Sequence, residues 1–147
     1  MYLDDQLTFA KNVAAFAGVG SALIGVAKTL DGSQIGAASS QRAQLLIQVS
    51  TAFVGAGTPS FEWRSGANAG AVLAGQVHAR TPLYTIAQLS QSARIIMELP
   101  IQPFDPALFF GLVCVNTGIT TAGAINAFFV LDAQTWQPTV AITGSVA

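Results

Sequence analysis

The stretch Gln44-Leu45-Leu46-Ile47-Gln48-Val49-Ser50-Thr51-Ala52-Phe53 places Leu45, Ile47, Val49, Thr51 and Phe53 on one side of an extended chain, and Gln44, Gln48 and Ser50 on the other. Successive side chains of a β-strand point to opposite faces, so this alternation reads as a half-buried strand. The same period recurs downstream. Ser60–Arg64 sets Phe61 and Trp63 against Ser60, Glu62 and Arg64, and Ala93–Leu99 sets Ile95, Met97 and Leu99 against Arg94 and Glu98. Phe109–Thr117 and Ala124–Asp132 are apolar on nearly both faces, which predicts strands in the middle of their sheets.

Upstream, Leu3, Leu7 and Phe9 alternate with polar neighbours, and Ala22–Lys28 reads as a second strand. Between Ala67 and Ser90 the period weakens. Ala71–Val77 and Leu83–Leu89 read as short strands, the latter alternatively as one helical turn. Turn chemistry punctuates the pattern at Asp31-Gly32-Ser33, Gly55-Ala56-Gly57-Thr58-Pro59, Ser65-Gly66-Ala67-Asn68 and Gly118–Gly123. Pro100, Pro103 and Pro106 favour an extended connection. Together these features predict an all-β fold: one β-sandwich or jelly-roll-like domain over residues 1–147, with about eight strands. Residues 1–12 are a candidate N-terminal arm, and residues 139–147 a candidate C-terminal strand or tail.

Composition narrows the function. Of 147 residues, 52% are hydrophobic and 9% charged, against about 25% charged in ordinary soluble domains. So few charges do not solvate the whole surface of a free monomer, and part of the exterior is expected to be covered by other protein. The six Lys/Arg are scattered and the net charge is −1, so nucleic acid is not an expected partner, because phosphate binding needs several cations on one face. Asn12–Ala27 is free of charge but only 16 residues long, short of the roughly 20 a spanning helix needs. No membrane partner is expected. The opening Met1-Tyr2-Leu3-Asp4-Asp5 also lacks the basic start of a secretory leader.

Polar chemistry is sparse. One His and one Cys exclude a His-rich metal site, a thiolate set and an internal disulfide. Cys114, inside Phe109-Phe110-Gly111-Leu112-Val113-Cys114-Val115, reads as a small buried hydrophobe. No Gly-x-Ser-x-Gly elbow accompanies His78, which reads as a solvated strand end. Glu62, Glu98, Asp105 and Asp132 are isolated carboxylates and read as solvated positions rather than a glycosidase pair. A non-enzyme without cofactor or metal is the expectation.

Four passages carry a resemblance: Leu3-Asp4-Asp5-Gln6-Leu7, the strand Leu45–Phe53, the passage from Leu99-Pro100 to Phe110, and Thr120-Thr121-Ala122-Gly123-Ala124-Ile125-Asn126-Ala127. In order and wording they resemble the capsid cement (decoration) proteins of tailed bacteriophages, of the Bordetella-phage type. The likeness spans roughly Leu3 to Asp132. It departs at Cys114-Val115, where that pattern carries a tyrosine, and in the Gly/Ala-rich Asn12–Ala27 segment.

The resemblance implies a virion protein on the outer surface of the capsid. It would form a homo-oligomer, a dimer or trimer, and bridge neighbouring copies of the major capsid protein. Tyr and Trp are enriched among interface hot spots, so Tyr2, Phe9, Tyr84 and Trp136, near strand ends and termini, are the candidate interface anchors. Trp63 alternates with Phe61 and reads as core. Alternatives are another phage head or tail component, a carbohydrate-binding β-sandwich module with exposed coplanar aromatics, and, last, a hydrolase.

Overall fold

A computed structural model describes residues 8–15, 19–29, 44–98 and 107–130. They form eight strands: β1 (Thr8–Ala14), β2 (Gly20–Thr29), β3 (Gln44–Gly55), β4 (Ser60–Gly66), β5 (Gln76–Arg80), β6 (Arg94–Glu98), β7 (Phe109–Asn116) and β8 (Thr120–Val130). Two antiparallel four-stranded sheets stack as a sandwich, one ordered β1-β8-β3-β6 and the other β2-β7-β4-β5. The pairing is nested: β1 meets β8, β2 meets β7, β3 meets β6 and β4 meets β5. As the apolar runs predict, β7 and β8 lie inside their sheets.

Alternation decides which residues meet between the sheets. Leu45, Ile47 and Val49 of β3, Ile95 and Met97 of β6, and Ile125, Ala127 and Phe129 of β8 are buried in one core cluster. It also takes in Phe61 and Trp63 of β4, Phe110, Leu112 and Cys114 of β7, and Ile24 of β2. Aromatic rings interlock at its centre. The Phe9 ring stands edge-on to Trp63 at 4.9 Å and to Phe129 at 5.1 Å, and Trp63 stacks on Phe110 at 5.8 Å. Trp63 is therefore core, as its alternation predicts. On the opposite face of the β1-β8-β3-β6 sheet, Leu46, Phe128 and Val130 form a second, smaller buried cluster.

Several expectations need correction. Residues 8–12 are not an arm. They belong to β1, where Thr8 pairs with Phe128 and Ala10 with Ala127. The chain is held there by a bulge in β2, where Gly25 has φ +68° and any Cβ would run into the Phe9 carbonyl. Ala71–Val77 is not one strand: only Gln76 and Val77 are extended, as the start of β5. A 3-10 helix occupies Ala69–Ala74, started by the Asn68 side chain, which accepts from the Ala71 N–H at 3.0 Å. This helix lays buried Val72 over the outer face of the β2-β7-β4-β5 sheet, where Gly111 leaves room for it.

Within Leu83–Leu89 the helical-turn alternative is the one that forms, at Ile86–Gln88. The loop expected over Gly118–Gly123 is shorter, because β8 already begins at Thr120. Asp31-Gly32-Ser33, the three prolines and residues 139–147 lie outside the described residues.

Candidate functional site

One end of the sandwich carries no charge among the described residues. It is built from the β3–β4 loop, the β7–β8 turn, the start of β2 and the segment around Tyr84. Ala56 N–H donates to the Ile119 carbonyl at 2.8 Å, and Thr58 N–H donates to Thr117 Oγ at 3.1 Å. The two threonine hydroxyls share a further bond of 2.9 Å. Gly57 and Gly118 let the two loops touch. Gly57 has φ +108°, and a Cβ on Gly118 would lie 2.7 Å from Gly57 Cα. Asn116, buried beneath, accepts from the Gly118 N–H at 3.4 Å. Tyr84 N–H donates to the Pro59 carbonyl at 2.9 Å, which ties the third segment to the same end.

This bonded framework holds branched aliphatic side chains out in water. Val19 is 71% exposed, Leu83 65%, Ile119 63% and Val54 53%. The charged residues among those described are Lys11, Lys28, Glu62, Arg64, Arg80, Arg94 and Glu98, and none falls within residues 13–15, 19–23, 53–61, 82–89 or 115–125. Fully burying one Val, Leu or Ile side chain contributes about 1.5–3 kcal/mol. With no charge to strip of water, little of that gain is offset by desolvation. Among the described residues the end is thus an uncharged surface with apolar side chains held outward.

Of the residues expected as anchors, Tyr84 belongs to this end. Its side chain packs partly against the core, and burial raises its phenol above the ordinary value, opposed by a hydrogen bond with Thr81. Phe9 is a correction. It is 2% exposed at the centre of the aromatic cluster, so no partner on the outside can touch it. Tyr2 and Trp136 lie outside the described residues. The exposed aliphatics of this end were not singled out in the sequence; for Leu83 and Ile119 a signal existed in the absence of charge throughout residues 81–93 and 107–130. The exposed large hydrophobics among the described residues are all aliphatic, so they supply no aromatic platform for stacking a sugar ring.

The charged side chains among those described, and His78, lie outside the segments of this end. Glu62, expected in solvent, is 3% exposed. Its Oε2 accepts from Arg64 Nε at 2.7 Å, its Oε1 lies 2.7 Å from Arg80, and Arg64 also donates to the Leu73 carbonyl beneath the 3-10 helix. The carboxylate is buried because two guanidiniums compensate it. His78, also expected in solvent, is half-buried, with Nε2 2.6 Å from the buried Ser65 Oγ and its ring beside Phe110. Among the described residues no carboxylate bonds the His78 ring, and no three His, Cys, Asp or Glu gather as a metal set. Cys114 is buried, and desolvation pushes its thiol up to about 12. Among the described residues no helix is long and apolar enough to cross a membrane.

A scan of the chain against protein-family models and a search against curated proteins return no match.

Proposed function

We propose that the chain is a capsid cement protein of a tailed bacteriophage: a jelly-roll domain that assembles with itself, docks on the outer surface of the head and bridges neighbouring copies of the major capsid protein. The observation that carries this reading is the end where no described residue is charged and Val19, Val54, Leu83 and Ile119 are held outward. The nested strand pairing supports the jelly roll, since two Greek keys in two four-stranded sheets give that order. The resemblance in the four sequence passages points to the same class.

The physical task of such a protein is to raise the cost of taking the shell apart, and no bond need be made or broken. A rigid apolar patch binds without paying to order loops. In a symmetric oligomer, docking one subunit presents the next to its own site at high effective concentration, so modest contacts sum to strong retention. Lifting one capsomer then requires several contacts to open together.

The test uses heads that lack the protein. Wild-type chain added back is expected to co-sediment with heads and to raise the temperature or osmotic shock at which they burst. Leu83→Asp and Ile119→Asp chains are expected to stay in the supernatant. Heads that neither bind the wild-type chain nor gain resistance would sink the proposal.

A further inference from the structure

β6 is the last of the described strands in its sheet, and its sequence is complementary to itself. The bond from Val49 N–H to the Ala93 carbonyl, 2.8 Å, continues the register in which Ile47 faces Ile95 and Leu45 faces Met97. In an antiparallel ladder alternate residues bond to each side. Ile95 and Met97 therefore turn their backbone groups toward β3, and Ile96, between them, turns its N–H and C=O the other way. Arg94 and Glu98 share that phase with Ile96.

We infer that β6 is a homodimer edge: two copies pair antiparallel about a two-fold axis through Ile96, joining their sheets across the β6 strands. This deepens the self-assembly part of the proposed function and rests on that part alone. The register follows from the residues. A two-fold at Ile96 sets Ile96 opposite its own copy, Arg94 opposite the second copy's Glu98, and Ile95 opposite the second copy's Met97. It is the only antiparallel two-fold register that pairs all five residues of Arg94–Glu98.

Each row that forms is chemically matched. On the outer face, Ile96, 38% exposed, is covered by its equivalent and flanked on both sides by a pair of opposite charge. On the inner face, Ile95 and Met97 extend one hydrophobic core into the next. A two-fold contact uses every favourable pair twice. Arg94 and Glu98 also make contacts within their own chain. A guanidinium with five donors and a carboxylate with two acceptor oxygens can serve both. Short strands, charges and proline protect a sheet edge from an incoming copy; β6 is short, but its two charges are of opposite sign and placed so that a second copy neutralises both.

The experiment is sedimentation velocity of the full chain over a concentration series. The wild type is expected to dimerise. Arg94→Glu alone, or Glu98→Arg alone, puts like charges opposite each other twice and is expected to weaken dimerisation about tenfold or more. An equimolar mixture of the R94E and E98R chains restores both pairs and is expected to give heterodimers of near wild-type strength. Ile96→Pro removes the outward N–H without touching the ladder to β3, and should yield a folded monomer. Circular dichroism checks the fold of each chain. A wild type that stays monomeric, or dimers indifferent to all four tests, overturns the edge pairing. A monomer that still reinforces heads overturns this inference and leaves the cement reading standing; β6 dimers that ignore heads do the reverse.

Discussion

The carboxylate of Glu62 lies 2.7 Å from the guanidinium of Arg80 across the β4–β5 ladder, on the sheet face that alternation alone assigns to water. The two partners are unequal. The Glu62 side chain is 4% exposed and that of Arg80 63%, while Arg64 holds the other carboxylate oxygen from under the 3-10 helix.

That inequality sets the first prediction. Glu62→Gln leaves Arg64 covered and uncompensated, and is expected to cost about 3 kcal/mol or more in urea denaturation. Arg80→Ala removes a largely solvated partner and is expected to cost about 1 kcal/mol or less. Equal losses from the two would mean the carboxylate is not held as described.

The core and the exposed apolar end separate by a second pair of changes. Phe9→Ala opens the aromatic cluster and should lose about 3–5 kcal/mol, read as a fall in unfolding midpoint. Leu83→Asp replaces a side chain already in water, and stability should stay within about 0.5 kcal/mol of wild type. A Phe9→Ala chain as stable as wild type would return Phe9 to the list of surface anchors.

Cys114 gives a third test, in which pH is the variable. Its thiol is pushed from an ordinary 9.0 up to about 12 by burial. Between those values the unfolded chain has lost the proton and the folded chain keeps it, so the unfolded state binds fewer protons and stability falls as pH rises. The thiol's contribution is complete below about pH 9 and is lost progressively above it. Alkylation of the folded protein at pH 8 should proceed only through unfolding. A Cys114→Ala chain should show a shallower loss of stability between pH 9 and 11; an unchanged slope would refute the assignment.

What the sequence revealed follows from where each force acts. β3 and β6 were legible because one face of each meets the core, so burial is written as a period of two. β7 and β8 were legible as interior strands because both faces are mostly apolar. The 3-10 helix at Ala69–Ala74 was not, since Ala and Gly carry no period and its placement depends on Val72 meeting Gly111, some forty residues on. Burial of Glu62 depends on Arg80 returning from β5, and the place of Phe9 depends on β1 joining β8 at the far end of the described chain. Tyr84 was singled out by its type, and the fold places it beside the loops of the uncharged end. The exposure of Val19, Val54, Leu83 and Ile119 was not legible, because only the folded loops hold these aliphatic side chains outward.

The nested pairing has a consequence for biosynthesis. β8 lies between β1 and β3, so the sheet that holds the first described strand is completed by the last described one to leave the ribosome. Until residue 130 emerges, β1 and β3 have no common neighbour, and their apolar faces wait in the nascent chain. This sheet therefore cannot close until β8 has been made, and a chain cut within β8 is expected to be a polypeptide for proteases rather than a smaller sandwich.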